Sequence, residues 1–116
     1  MVKGNCYENA IHKFVDLQKS GHDAVIVHGH VEGQGSETKG KRFGHAWVEV
    51  GNKVYDAETN TTWTKDNYYR IGKIDEDKTY EYDKYLVSYY VSKTEHCGPW
   101  ELEPTDFEKE ATDESE

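Results

Sequence analysis

Residues 44–57, Gly-His-Ala-Trp-Val-Glu-Val-Gly-Asn-Lys-Val-Tyr-Asp-Ala, alternate apolar and polar positions in two runs separated by Gly51-Asn52. Period-two alternation on both sides of a Gly-Asn pair predicts a β-hairpin, with Gly51 and Asn52 at the positive-φ positions of a primed turn. The two-residue loop fixes the register. Val50 faces Lys53, Val48 faces Tyr55, Trp47 faces Asp56 and His45 faces Glu58. Ala46, Val48 and Val50 then share one side of the pair, while His45, Trp47 and Asp56 share the other.

Other periodicities supply the neighbours of this hairpin. Tyr7, Ala10, Ile11, Phe14 and Val15 recur at helical spacing, and Gln18 lies at the edge of that stripe. Asn5 is an N-cap with Glu8 in capping-box position, so the helix starts at Cys6, and Gly21 stops it. Residues 24–31 form an apolar run that turns to polar alternation, as in a central strand beside the hairpin. Residues 32–43 are rich in glycine and charge and read as a mobile loop. Thr61 to Lys65 reads as a polar turn in which Trp63 closes a corner of the core, and alternation of Tyr69 and Ile71 predicts a strand over 67–74. Tyr82, Leu86, Tyr89 or Tyr90, and Val91 follow helical spacing, giving a helix over 80–95 capped near Thr79 and stopped by Gly98-Pro99.

The apolar fraction of 34% is low for 116 residues, but nine tyrosines and three tryptophans bring large rings to one modest core. The formal charge of −9 is unevenly placed: eight acids against Lys109 from Glu101 onward contribute −7 and leave −2 for residues 1–100. One domain over 1–102 followed by an acidic, disordered tail over 103–116 is expected, since the tail has little apolar surface to bury. A near-neutral body without a Lys/Arg stripe argues against nucleic acid as a partner. No apolar run spans a bilayer and Met1 to Ala10 carry no charged-then-apolar leader, so no membrane association and a cytoplasmic location are expected.

The hairpin register also carries chemistry. His45 and Asp56 are diagonal neighbours, about 7–8 Å apart at the backbone, close enough for an imidazole and a carboxylate to lean together. The carboxylate would hold the ring in one tautomer and leave the other nitrogen for a nucleophile. Cys6 is the candidate nucleophile, because unsatisfied N–H groups and the dipole at a helix start favour a thiolate. Glu58, directly across from His45, is a rival for the acid's place. Cys6 is also of the size and character of a buried structural cysteine. His28 and His30 share one face of their strand, but their spacing with His45 matches no zinc module, and neither metal nor cofactor is assigned. His12 and His22 fall at surface positions, and His96 and Cys97 adjoin in sequence without reason to converge.

Cys6 in Gly-Asn-Cys-Tyr-Glu-Asn-Ala, His45 in His-Ala-Trp-Val-Glu-Val and Asp56 in Val-Tyr-Asp-Ala-Glu-Thr-Asn together resemble the core of the transglutaminase-like branch of papain-like cysteine enzymes. The chain order of the three matches as well, and the resemblance covers residues 4–57. It implies an α+β fold, with the cysteine at the N-terminus of a helix packed on a small antiparallel sheet that carries His and Asp on adjacent strands. It further implies hydrolysis or acyl transfer at a peptide or protein amide through a thioester. Oxyanion or substrate-binding roles are expected for Asn5 and Trp47, with the backbone N–H of Cys6 as the first donor. The competing expectation is an inactive module that binds peptide or protein with the same fold.

Overall fold

The computed structural model describes the backbone of residues 5–114 and the side chains of 6–110. Helix α1 (Asn5–Lys19) is followed by strands β1 (Val25–Glu32), β2 (Arg42–Val50), β3 (Lys53–Asp56) and β4 (Thr61–Thr64). Helix α2 (Lys65–Ile71), a 3-10 turn (Glu76–Lys78), strand β5 (Tyr80–Tyr82) and helices α3 (Lys84–Thr94) and α4 (Asp106–Glu114) complete the chain. The five strands form one antiparallel sheet in the order β4-β3-β2-β1-β5.

This is an α+β arrangement of the papain or transglutaminase-like kind: an N-terminal helix bearing Cys6 packed against an open antiparallel sheet. Each face of the sheet has its own core. Tyr7, Ala10 and Phe14 of α1 pack on Ile26, Ala46 and Val48, with Tyr82 and Val87 alongside. The opposite face gathers Val27, Val31, Trp47 and Val54 against Tyr68 of α2. Strand alternation therefore sends successive residues of β2 into different cores.

The hairpin register is the expected one, with Val48 opposite Tyr55 and Val50 opposite Lys53. Its turn differs in one respect. Gly51 alone takes a positive φ, 57°, so the glycine sits at the first central position and Asn52 keeps an ordinary conformation. Helix α1 ends in a Schellman pattern, in which Gly21 (φ 91°) lets the His22 N–H donate to the Leu17 carbonyl. Val15, expected in the buried stripe, is 39% exposed, since the stripe is centred on Tyr7, Ala10 and Phe14.

Four segments of the sheet and its connections depart from expectation. The 32–43 loop is shorter, because β1 runs to Glu32 and β2 begins at Arg42; between them Gly33 and Lys39 form a bridge. Residues 61–64 are a strand, paired so that Trp63 lies opposite Val54. The predicted strand over 67–74 is α2, nucleated by Thr64, whose hydroxyl accepts the Asn67 N–H. The predicted helix over 80–95 divides into β5 and α3, because Tyr82 pairs with Ile26 and the Asp83 carboxylate caps the helix by accepting the N–H groups of Tyr85 and Leu86.

The acidic segment expected to lack structure carries α4. It is tethered by Glu108, which accepts the Gly44 N–H at 3.0 Å, and by the Thr105 hydroxyl, which donates to the Arg42 carbonyl at 2.7 Å. Charge alone does not keep a segment unfolded when two polar anchors tie it to a strand. No helix among the described residues is long and apolar enough to cross a membrane.

Candidate functional site

The site lies where the first turn of α1 meets the start of β2. Cys6 is placed by the apolar stripe that seats α1 on the sheet, and it is 3% exposed. His45 projects from β2 on the side of Trp47, and Asp56 ends β3, so the pairing of these strands sets their spacing. The His45 Nε2 and Asp56 Oδ2 atoms are 3.0 Å apart, both residues being buried.

Asp56 is held from several directions. Tyr68 donates its hydroxyl to Oδ2 at 2.7 Å, and the backbone N–H groups of Glu58 and Thr59 donate to Oδ1 at 3.1 and 3.3 Å. Burial alone would raise its pKa, but the hydrogen bond and charge of His45, with the Tyr68 and Thr59 bonds, hold the carboxyl below its usual value. For His45, burial works against the charged ring, yet the Asp56 hydrogen bond and the nearness of Asp56 and Cys6 outweigh it and raise the ring from 6.5 to about 10. The pair is therefore ionised near neutral pH.

With Nε2 turned to Asp56, Nδ1 is the ring nitrogen left for another partner. Nδ1 is buried and has no hydrogen-bond partner of good geometry among the described residues. It lies 3.5 Å from Glu58 Oε1, and donor atoms of Cys6, His45 and Glu58 all fall within 4.8 Å of one another. A sulfur, an imidazole and a carboxylate are thus gathered around one point, a donor set that can also hold a metal ion. Asp56 and Glu58, rivals in the sequence, take opposite sides of the same ring.

The remaining predicted residues fare differently. Trp47 is fully buried, and its indole N–H donates to Glu49 Oε2 at 2.9 Å. It packs beside the His45 ring at 6.1 Å, supporting that ring from within the core. The Asn5 side chain, and with it both the capping box and the second oxyanion donor, lies outside the described residues. His28 points to the α1 face, among Tyr7, Tyr82 and Trp100 at 4.8–5.1 Å, and does not converge with His45. His30 bonds the Glu103 carbonyl at 2.7 Å. Both cysteines are free thiols.

Two participants are absent from the sequence reading. Tyr68 reaches Asp56 from α2, and burial together with the carboxylate keeps its hydroxyl protonated. The Thr64 cap and the Asp66-to-Arg70 charge order were the available signals of that helix. The second is a cavity of about 440 Å³ lined by His45, Asp56 and Glu58, by Phe43, Trp63 and Ile74, and by the Gly33–Gly35 segment. Its lining includes Glu32 and Glu58 but neither Lys nor Arg. In comparisons with known proteins, no family model, no curated protein and no solved structure matches this chain.

Proposed function

We propose that this protein is a cysteine-dependent hydrolase or acyltransferase acting on an amide bond through a thioester, built as a transglutaminase-like member of the papain-like enzymes. The reading rests on one observation: the free thiol at the start of α1 lies within 4.8 Å of an imidazole whose Nε2 is held by a buried carboxylate.

In the reaction, the Cys6 sulfur attacks the substrate carbonyl carbon and the carbonyl π pair moves to oxygen. The imidazolium of His45 gives its Nδ1 proton to the departing amine as the tetrahedral intermediate collapses to the thioester. Water or a second amine then attacks the thioester, losing a proton to Nδ1, and the thiolate leaves. Asp56 keeps Nε2–H engaged throughout, so the ring stays oriented and its charge compensated. The cavity beside His45 accommodates an apolar or aromatic substrate side chain, and its acids disfavour an acidic one.

The test is incubation with peptidyl electrophiles bearing aromatic or acidic side chains, followed by mass spectrometry of the labelled peptide. Label on Cys6, lost in His45→Ala and favoured by the aromatic probe, is the expected result. Label on Cys97 alone would defeat the enzyme reading and leave a binding module.

A further inference from the structure

Glu58 has no part in the thiol mechanism, yet its carboxylate reaches 3.5 Å from Nδ1 of His45, within the group that also holds the Cys6 sulfur. A soft thiolate, a borderline imidazole and a hard carboxylate converge there, from a helix start, a mid-sheet strand and a turn. The convergence is not a cluster of acids. A buried ring nitrogen without a hydrogen-bond partner is aimed into it.

We infer that Cys6 Sγ, His45 Nδ1 and a carboxylate oxygen of Glu58 form a three-ligand site for a zinc ion, with a fourth position open to water. In tetrahedral zinc with sulfur at about 2.3 Å and nitrogen or oxygen at about 2.0–2.2 Å, donor atoms lie roughly 3.3–3.7 Å apart. The Nδ1–Oε1 separation of 3.5 Å already has this value. The sulfur lies within 4.8 Å of both partners, so a modest side-chain rotation of Cys6 completes the triangle.

Asp56 completes the environment from behind. A metal-bound histidine ordinarily donates its other N–H to a carboxylate or carbonyl, which fixes the ring and strengthens the metal-facing nitrogen. His45 Nε2 makes such a bond to Asp56, itself held by Tyr68, Glu58 N–H and Thr59 N–H. Binding displaces the proton between sulfur and Nδ1, because both must present lone pairs to the ion. Zinc and an acyl donor therefore compete for one sulfur, and occupancy by the metal switches the thiol chemistry off.

Zinc is titrated into the reduced full chain by calorimetry, and cobalt is bound in parallel for its absorption spectrum. One zinc per chain is expected, with a sulfur-to-cobalt charge-transfer band. Cys6→Ser should abolish the band, and Glu58→Gln should weaken zinc at least tenfold; Glu58 lies in an exposed turn, so that variant folds. Zinc should also protect Cys6, but not Cys97, from iodoacetamide. Affinity unchanged by both substitutions, or a cobalt spectrum without the sulfur band, would overturn the inference and assign binding to surface groups. Zinc binding depends on no hydrolytic activity. A chain that binds zinc but never forms an acyl-enzyme keeps this inference and loses the enzyme, and the reverse result keeps the enzyme alone.

Discussion

At the scale of single residues, the imidazole of His45 decides how the site behaves. The imidazolium of His45 lies beside the Cys6 sulfur, whereas burial and the charge of Glu8 push the Cys97 thiol up. At pH 7 iodoacetamide should therefore alkylate Cys6 in a manner that His45→Ala slows about tenfold or more, while Cys97→Ser leaves that rate unchanged, as read by peptide mapping. An unaffected rate in His45→Ala would mean the sulfur does not sense the ring. Asp56→Ala strips the carboxylate from a buried pair and should cost about 3–5 kcal/mol in urea unfolding. The two buried histidines also shape stability against pH, in opposite directions. His45, raised from 6.5 to about 10, contributes fully below pH 6.5 and loses its contribution as pH climbs toward 10. His28, lowered by burial from 6.5 to about 3, contributes above pH 6.5 and loses its contribution as pH falls, because the unfolded ring takes a proton the folded ring refuses. The loss of Asp56's contribution joins only below its unfolded value of about 3.9. Stability should thus peak near pH 6.5, with His28→Phe flattening the acid limb and His45→Gln the alkaline one in urea midpoints.

At the scale of elements, what could be read from the sequence followed the strength of local signals. The β2–β3 hairpin is legible because alternation and a Gly-Asn turn agree, and its register carried the His45–Asp56 pair with it. Helix α1 is legible for the same reason, its stripe and its Gly21 stop being consistent. Helix α2 is not, because Tyr68, Tyr69 and Ile71 prefer strands, and their placement was settled by packing of Tyr68 under Trp47 and by its bond to Asp56. The role of Trp47 is not legible in the pattern for a related reason. Sharing a strand face with His45 does not tell which aromatic reaches substrate and which is roofed by α2. Helix α4 is the hardest case, since its contacts to β2 are polar and 60 or more residues distant in sequence. They make a prediction at this scale. Glu108→Ala frees the Gly44 N–H next to His45, where an added side chain would meet the Tyr7 hydroxyl at 2.7 Å, so the strand cannot shift inward to compensate. Hydrogen exchange at Gly44 should accelerate and global stability fall by about 1–3 kcal/mol. Unchanged protection there would mean that α4 does not brace the start of β2.

At the scale of the whole molecule, the site joins two cores that share only the sheet between them. Cys6 belongs to the α1 face with Phe14, Ala46 and Val48, whereas His45 and Asp56 stand on the face of Trp47, Val54 and Tyr68. Neither core alone positions the sulfur against the ring, so the geometry holds only if both faces form together. The tryptophans make this measurable: Trp100 stacks on Tyr90 on the α1 side, and Trp47 and Trp63 lie on the other. In a Trp100→Phe background, fluorescence in urea reports the α2 face, while amide protection along α1, read by pulsed hydrogen exchange at each urea concentration, reports the α1 face. Coincident midpoints are expected, as for a small domain unfolding in one step. Phe14→Leu, buried wholly on the α1 side, should lower both midpoints equally, by the equivalent of about 1–2 kcal/mol. The shared strands transmit the loss because β2 contributes alternate residues to each core. A fluorescence midpoint that stays in place while α1 loses its amide protection would show the faces melting separately. The sulfur could then leave the imidazole without global unfolding, and the triad would be a transient arrangement of a loosely docked helix.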